Sequence, residues 1–221
     1  MKQLLHKYRH GIVFIYVPIY MIFFSYLEKH ITRFHVIHTT LDKYIPFCEY
    51  FIVPYLLWFF FIAGTVAYFF FKASRKEFYQ LIGFLFTGMT IFLIVSAIYP
   101  NGHFLRPTEF SRDNIFIHMV QGLYSIDTST NVLPSIHVFN TLGAWTAIKR
   151  CESLKNRHGI QTATRILSIA IILSTMFLKQ HSIVDVACGM VMALVFYVVV
   201  YTPENLVVRR PARSRSLVAE K

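Results

Sequence analysis

Long uninterrupted apolar runs, separated by short polar connections, organise this chain. Six stand out in order: residues 11–27, 51–71, 78–99, 132–148, 166–178 and 183–202. A run of roughly 20 apolar residues matches the hydrocarbon thickness of a bilayer, so the pattern predicts six transmembrane helices in an all-α integral membrane bundle. The second and third runs carry no formal charge. The fourth holds Ser135, His137, Asn140, Thr141 and Thr146, so that face must look into the bundle. The fifth is short, and Arg165 and Lys179 at its ends can snorkel to lengthen it.

Two other stretches need a reading. Residues 28–50 are too polar to span, and the spacing of Ile31, Phe34, Ile37, Leu41 and Ile45 predicts a helix lying on the outer interface. The first run follows Lys2, Lys7 and Arg9 as a signal peptide would. It lacks a small-x-small cleavage site and is expected to remain as the first span.

Composition then narrows the class. The 221 residues are 55% hydrophobic and 15% charged, which excludes a disordered or nucleic-acid-binding chain. The net charge of +11 is distributed unevenly. With the N-terminus in the cytoplasm, only Lys29, Arg33, Lys43, Arg106, Arg112 and Lys179 of the 22 Lys and Arg fall outside. That positive-inside bias predicts two cytoplasmic termini in a multi-pass protein of the plasma membrane. It also turns the long connection over residues 100–131 outward. The chain reads as a single transmembrane domain over 1–221, with a basic cytoplasmic tail over 203–221. Cys48, Cys151 and Cys188 form neither a disulfide framework nor a zinc pattern. Gly83, Gly88 and Gly102 have no phosphate-loop context, so no cofactor and no metal are implied.

Three clusters carry candidate chemistry, and all map to the same outer edge. They are Arg106-Pro107 after the third run, Pro134-Ser135-Ile136-His137 at the start of the fourth, and His181-x-x-x-Asp185 at the start of the sixth, with Ser174 upstream. Imidazole or charge at a span is costly and points to function. At helical spacing His181 and Asp185 share one face. The carboxylate can then hold the proton on one ring nitrogen and leave the other as a nucleophile or base. His137 lies just inside a helix start whose amides, with the Ser135 hydroxyl, suit an anion. Arg106 offers a planar fork for phosphate oxygens. Such a set describes phosphoryl transfer without a metal, although a self-satisfied structural His–Asp pair fits the third cluster alone.

The order of these clusters resembles the type 2 phosphatidic acid phosphatase superfamily, whose signature is K-x6-R-P, P-S-x-H and S-R-x5-H-x3-D. Here the matching residues are Arg106-Pro107, Pro134-Ser-Ile-His137 and Ser174-Thr-x5-His181-x3-Asp185, and the resemblance covers roughly residues 50–202. It implies a lipid phosphate substrate met at the extracytoplasmic face of the membrane. His181 would be the nucleophile, Asp185 its orienting partner and His137 the acid for the leaving group. Arg106, Ser135 and Ser174 would bind phosphoryl oxygens. Tyr99 and Thr175 stand where the pattern has Lys and Arg. Lys179, Arg112 and His103 are the candidates to replace those cations, Lys179 first. The text around the third motif resembles the branch related to inositol phosphorylceramide synthases, which moves head groups between lipids. The expected activity is a lipid phosphatase working through phosphohistidine. A head-group phosphotransferase of the same fold and a non-catalytic lipid-binding or transport protein are the alternatives.

Overall fold

The computed structural model describes residues 8–208, with side chains through residue 201. Lys2, Lys7 and the basic tail from Arg209 onward lie outside the described residues. The chain is mostly helical. A 3₁₀ stretch, Arg9–Ile15, leads into α1 (Tyr16–His30), followed by α2 (Ile52–Phe71), α3 (Arg75–Ile98), α4 (Ile115–Ile126), α5 (Ile136–Arg150), α6 (His158–Phe177) and α7 (Ile183–Val208). Because α7 continues to Val208, the start of the expected tail is helical.

Helix starts follow local chemistry. Ser74 and Glu77 close a capping box on α3, and Asn114 and Ser135 cap α4 and α5 through their side-chain oxygens. Ser135 moves the start of α5 to Ile136, four residues inside the expected run. Residue 158, not 166, begins α6, because the polar residues of its first two turns add length at one end.

Among the described residues, five helical stretches are long and apolar enough to cross a membrane: Arg9–His30, Glu49–Phe71, Arg75–Ile98, His158–Phe177 and Ile183–Tyr201. The expected sixth, α5, is shorter at 15 residues, about 22 Å at the helical rise. It lies in the centre, packed against α2, α3, α6 and α7. Phe139, Ala144, Ala147 and Ile148 join the main core, and Asn140 and Thr141 are buried with them. Enclosure explains its polar sequence, since little of α5 has to face lipid. Inside a bilayer, helices associate by close packing more than by a hydrophobic force. Gly88 on α3 leaves room for the Phe139 ring, which would lie 1.9 Å from an added Cβ, and Gly143 makes room for Phe84.

The interfacial helix expected over residues 28–50 is not formed. Beyond α1 the chain is extended at β1 (His35–Val36), which pairs in parallel with β2 (Asn101–Gly102), and then makes only short 3₁₀ turns. Pairing with β2 and the capping box from Thr39 to Asp42 satisfy the backbone that a helix would otherwise satisfy. The long connection between α3 and α5 instead contains a helix that the apolar runs did not announce, α4.

Candidate active site

Two helix N-termini meet at one end of the bundle. The N–H of Ser135, at the start of α5, donates to the Asp185 carbonyl in the first turn of α7 (3.1 Å). No side chain at Gly189 intervenes one turn later; a Cβ there would lie 2.8 Å from the Ser135 carbonyl oxygen. This close approach brings together His137, His181 and Asp185.

Ser182 and Asp185 bond across the first turn of α7 in the manner of a capping box. Ser182 Oγ accepts the Val184 N–H (3.2 Å), and Asp185 Oδ2 accepts the Ser182 N–H (2.9 Å). Asp185 is fully buried, and the same Oδ2 lies 3.5 Å from Nδ1 of His181, itself 8% exposed. The other nitrogen of that ring, Nε2, faces Nδ1 of His137 at 3.4 Å. The His137 ring is packed beside Trp58 and Tyr55 of α2, with centroids at 4.3 and 4.9 Å. The His181 imidazole thus has one edge toward a carboxylate and the other toward a second imidazole. Asp185 Oδ1 and His181 Nδ1 are both buried without a hydrogen-bond partner, and a small approach of the ring to Oδ2 would give Nδ1 its bond.

The residues expected to hold phosphate are placed differently. Arg106 gives its terminal nitrogens to the carbonyls of Tyr124, Asp127 and Thr128 and to the Gln180 side chain, and lies over the Tyr124 ring. It thereby neutralises the C-terminal carbonyls of α4. Only its Nε remains without a partner. Ser174 donates its hydroxyl to the Ile171 carbonyl within α6 (2.6 Å). Ser135 accepts the Val138 N–H (3.4 Å), leaving its own proton to give, and the first N–H groups of α5 are not used within the helix. Lys179 is the clearest departure: its ammonium bonds the carbonyls of Asp42 (2.8 Å) and Ile45, away from the two histidines. Arg112 pairs with Glu49 (3.1 Å). Tyr99 stacks on His35, and the Thr175 hydroxyl satisfies its own helix.

The turn between α6 and α7 explains Lys179. Its φ is 53°, the left-handed position just past a helix end. The Gln180 N–H reaches the Thr175 carbonyl and the Lys179 N–H that of Met176, the bonding of a Schellman motif. That geometry aims the Lys179 side chain at the segment between α1 and α2.

No protein-family model, curated protein or solved structure matches this chain. What the site can do therefore rests on its own residues.

His103 and Asp42 carry more of the site than their sequence setting suggested. His103 is fully buried, with Nε2 2.7 Å from the Gln180 carbonyl and Nδ1 accepting the Leu105 N–H at 3.3 Å. It holds the residue before His181 as a neutral ring, and burial pushes its pKa below the ordinary 6.5. Asp42 had no visible role; the sequence signal was the Thr39-x-x-Asp42 capping pattern alone.

His103 makes stability fall with acid. The unfolded ring takes up a proton near pH 6.5, while the folded ring resists until a lower pH. Its contribution is thus complete above about 6.5 and is lost as pH falls toward the folded value, by up to about 1.4 kcal/mol per pH unit. Thermal unfolding in detergent at pH 7.5 and 5 should show the wild type losing more Tm on acidification than His103→Asn does. Equal losses would remove His103 as the source.

Proposed function

We propose that this protein is a metal-independent lipid phosphatase that hydrolyses a phosphate monoester or diphosphate lipid through phosphohistidine on His181. The observation that carries the reading is the facing of the rings: Nδ1 of His181 toward Asp185, Nε2 toward His137. In the first step Nε2 of His181 bonds to phosphorus as the ester P–O bond breaks, and His137 gives its proton to the departing oxygen. Asp185 stabilises the proton on Nδ1. In the second step His137 takes a proton from water, which attacks phosphorus and releases the P–N bond. The Ser135 hydroxyl and the first amides of α5 are the donors placed for phosphoryl oxygens. By its resemblance the chain belongs beside the type 2 phosphatidic acid phosphatases. The charge bias puts both termini in the cytoplasm and the histidines at the outer leaflet of the plasma membrane. The enclosed α5 is then the sixth crossing.

One observation favours head-group transfer as a second reading. Arg106, Arg112 and Lys179 are committed to carbonyls or to Glu49, which leaves a phosphomonoester dianion poorly compensated. A phosphodiester carries one charge fewer at phosphorus and makes less demand on the cradle. Its phosphoryl group would end on a lipid or polyol hydroxyl in place of water.

A panel of phosphatidate, lysophosphatidate, isoprenyl diphosphate and a phosphodiester lipid, incubated with purified protein and a strong chelator, tests both. Phosphate release indicates hydrolysis, and a new phospholipid indicates transfer. Activity that chelation abolishes and metal restores would rule out the two-histidine scheme. No turnover and no phosphoenzyme on any substrate would rule out both readings.

A further inference from the structure

The segment between α1 and α2 reaches the histidine site through a single carboxylate. Asp42 is 2% exposed, and a buried carboxylate is tolerated only when its oxygens are bonded. It accepts three hydrogen bonds, from the Thr39 N–H (2.7 Å), the Ser182 hydroxyl (2.7 Å) and the Ile183 N–H (2.8 Å). Two of these donors belong to the N-terminus of α7, where a negative charge also complements the helix dipole. The Asp42 carbonyl in turn accepts the Lys179 ammonium. The outer segment is therefore fastened on both sides of Gln180-His181.

Ser182 passes this constraint inward. Its hydroxyl proton goes to Asp42, its Oγ receives the Val184 N–H, and its own N–H goes to Asp185 Oδ2. The Ser182 hydroxyl and the Ile183 N–H are thus tied to Asp42, and the Ser182 N–H to Asp185. Asp185 Oδ2 and His181 Nδ1 stand 3.5 Å apart without a hydrogen bond, so an approach of a few tenths of an ångström decides whether one forms.

We infer that Asp42 is a positioning residue that, through Ser182, holds Asp185 against Nδ1 of His181 and so keeps Nε2 free to act. Its effect on turnover rests on the phosphohistidine reading; its effect on the ring proton does not. Asp42 acts from outside the membrane-spanning helices, on a segment that sequence pattern alone assigned to the interface. Removing the carboxylate frees Ser182 to rotate, loosens the capping box and lets His181 adopt the other tautomer. Because Asp42 touches neither phosphoryl group nor leaving group, its loss slows attack without weakening substrate binding.

The test uses full-length protein in nanodiscs labelled with ¹⁵N-histidine, with the His181 signals assigned by comparison with His181→Ala. At pH 8 the wild-type ring should carry its proton on Nδ1. Asp42→Asn and Ser182→Ala should both shift the proton toward Nε2, as Asp185→Asn does, and the Asp42→Asn/Asp185→Asn double variant should shift it no further. On a substrate that forms phosphoenzyme, Asp42→Asn should lower kcat by about 10²-fold, the scale of a small misplacement at a reacting group, and leave KM unchanged. Ser182→Ala leaves the Thr39 and Ile183 bonds of Asp42 in place, so it decides the matter if Asp42→Asn fails to fold. A wild-type tautomer in the variants that fold overturns the proposal, as does a wild-type ring protonated on Nε2. Absence of phosphoenzyme in the wild type would defeat the activity reading and leave the tautomer result to stand on its own.

Discussion

If the proposed phosphohistidine route operates, protein carrying His181→Ala should form no phosphoenzyme with any substrate, whereas His137→Ala should form it at a rate set by the leaving group. The asymmetry follows from which edge of each ring faces what. Nε2 of His181 is the nitrogen turned from Asp185 and toward the gap shared with His137, so its loss removes the bond-forming atom. In the proposed route His137 acts on the proton of the departing alcohol. General-acid assistance is typically worth about 10²–10⁴-fold, and a nitrophenolate needs little of it. With a nitrophenyl phosphate His137→Ala should therefore recover part of its first-step rate and accumulate phosphohistidine, because the second step still lacks its base. Asp185→Asn should lose activity with good and poor leaving groups alike, since it disturbs the nucleophile. Quench-flow with labelled substrate reads all three. Phosphoenzyme in His181→Ala at the wild-type rate would remove His181 from the scheme.

The second large effect comes from a residue with no side chain. In Gly189→Ala the new Cβ would meet the Ser135 carbonyl oxygen at 2.8 Å and the Val138 Cβ at 3.2 Å. That oxygen accepts the Phe139 N–H (3.0 Å) and cannot swing aside, so α5 and α7 must separate at the level of the histidines. Overpacking costs about 1–3 kcal/mol, partly offset by the gain of about 1 kcal/mol for Ala over Gly within a helix. The net stability loss should be on the order of 1 kcal/mol, visible as a lowered Tm in detergent. Activity should suffer more, by roughly 10²-fold, because the separation falls between the reacting groups. Gly64→Ala on α2 is the control: nothing lies within 4 Å of its added Cβ, so it should raise stability by up to about 1 kcal/mol and leave activity at wild type. Equal behaviour of the two variants would mean that the α5–α7 approach does not set the site.

The elements most legible in the sequence were those whose signal is local. Runs of apolar residues marked α2 and α3 to within three residues and the start of α7 at Ile183, because a lipid-facing helix must be apolar along its length. The i,i+4 spacing of His181 and Asp185 placed them on one face, and Ser135 announced a helix start. The fourth run was legible as a helix whose polar residues must turn inward. Its shortness and its central place became visible only with its neighbours assembled around it.

What tertiary structure alone decided is where the remaining polar side chains spend their hydrogen bonds. Arg106 and Lys179 read as phosphate ligands because a cation near a histidine motif suits an anion; folded, they serve backbone carbonyls at the end of α4 and in the segment between α1 and α2. Residues 28–50 alternate well enough for an interfacial helix, yet pairing with β2 and capping of α7 by Asp42 satisfy them better. Apolar length and helical spacing are properties of a segment and survive in the sequence. A carbonyl acceptor is present at every residue, so which one meets a given cation depends on distant chain brought close, and the sequence carries no local mark of it.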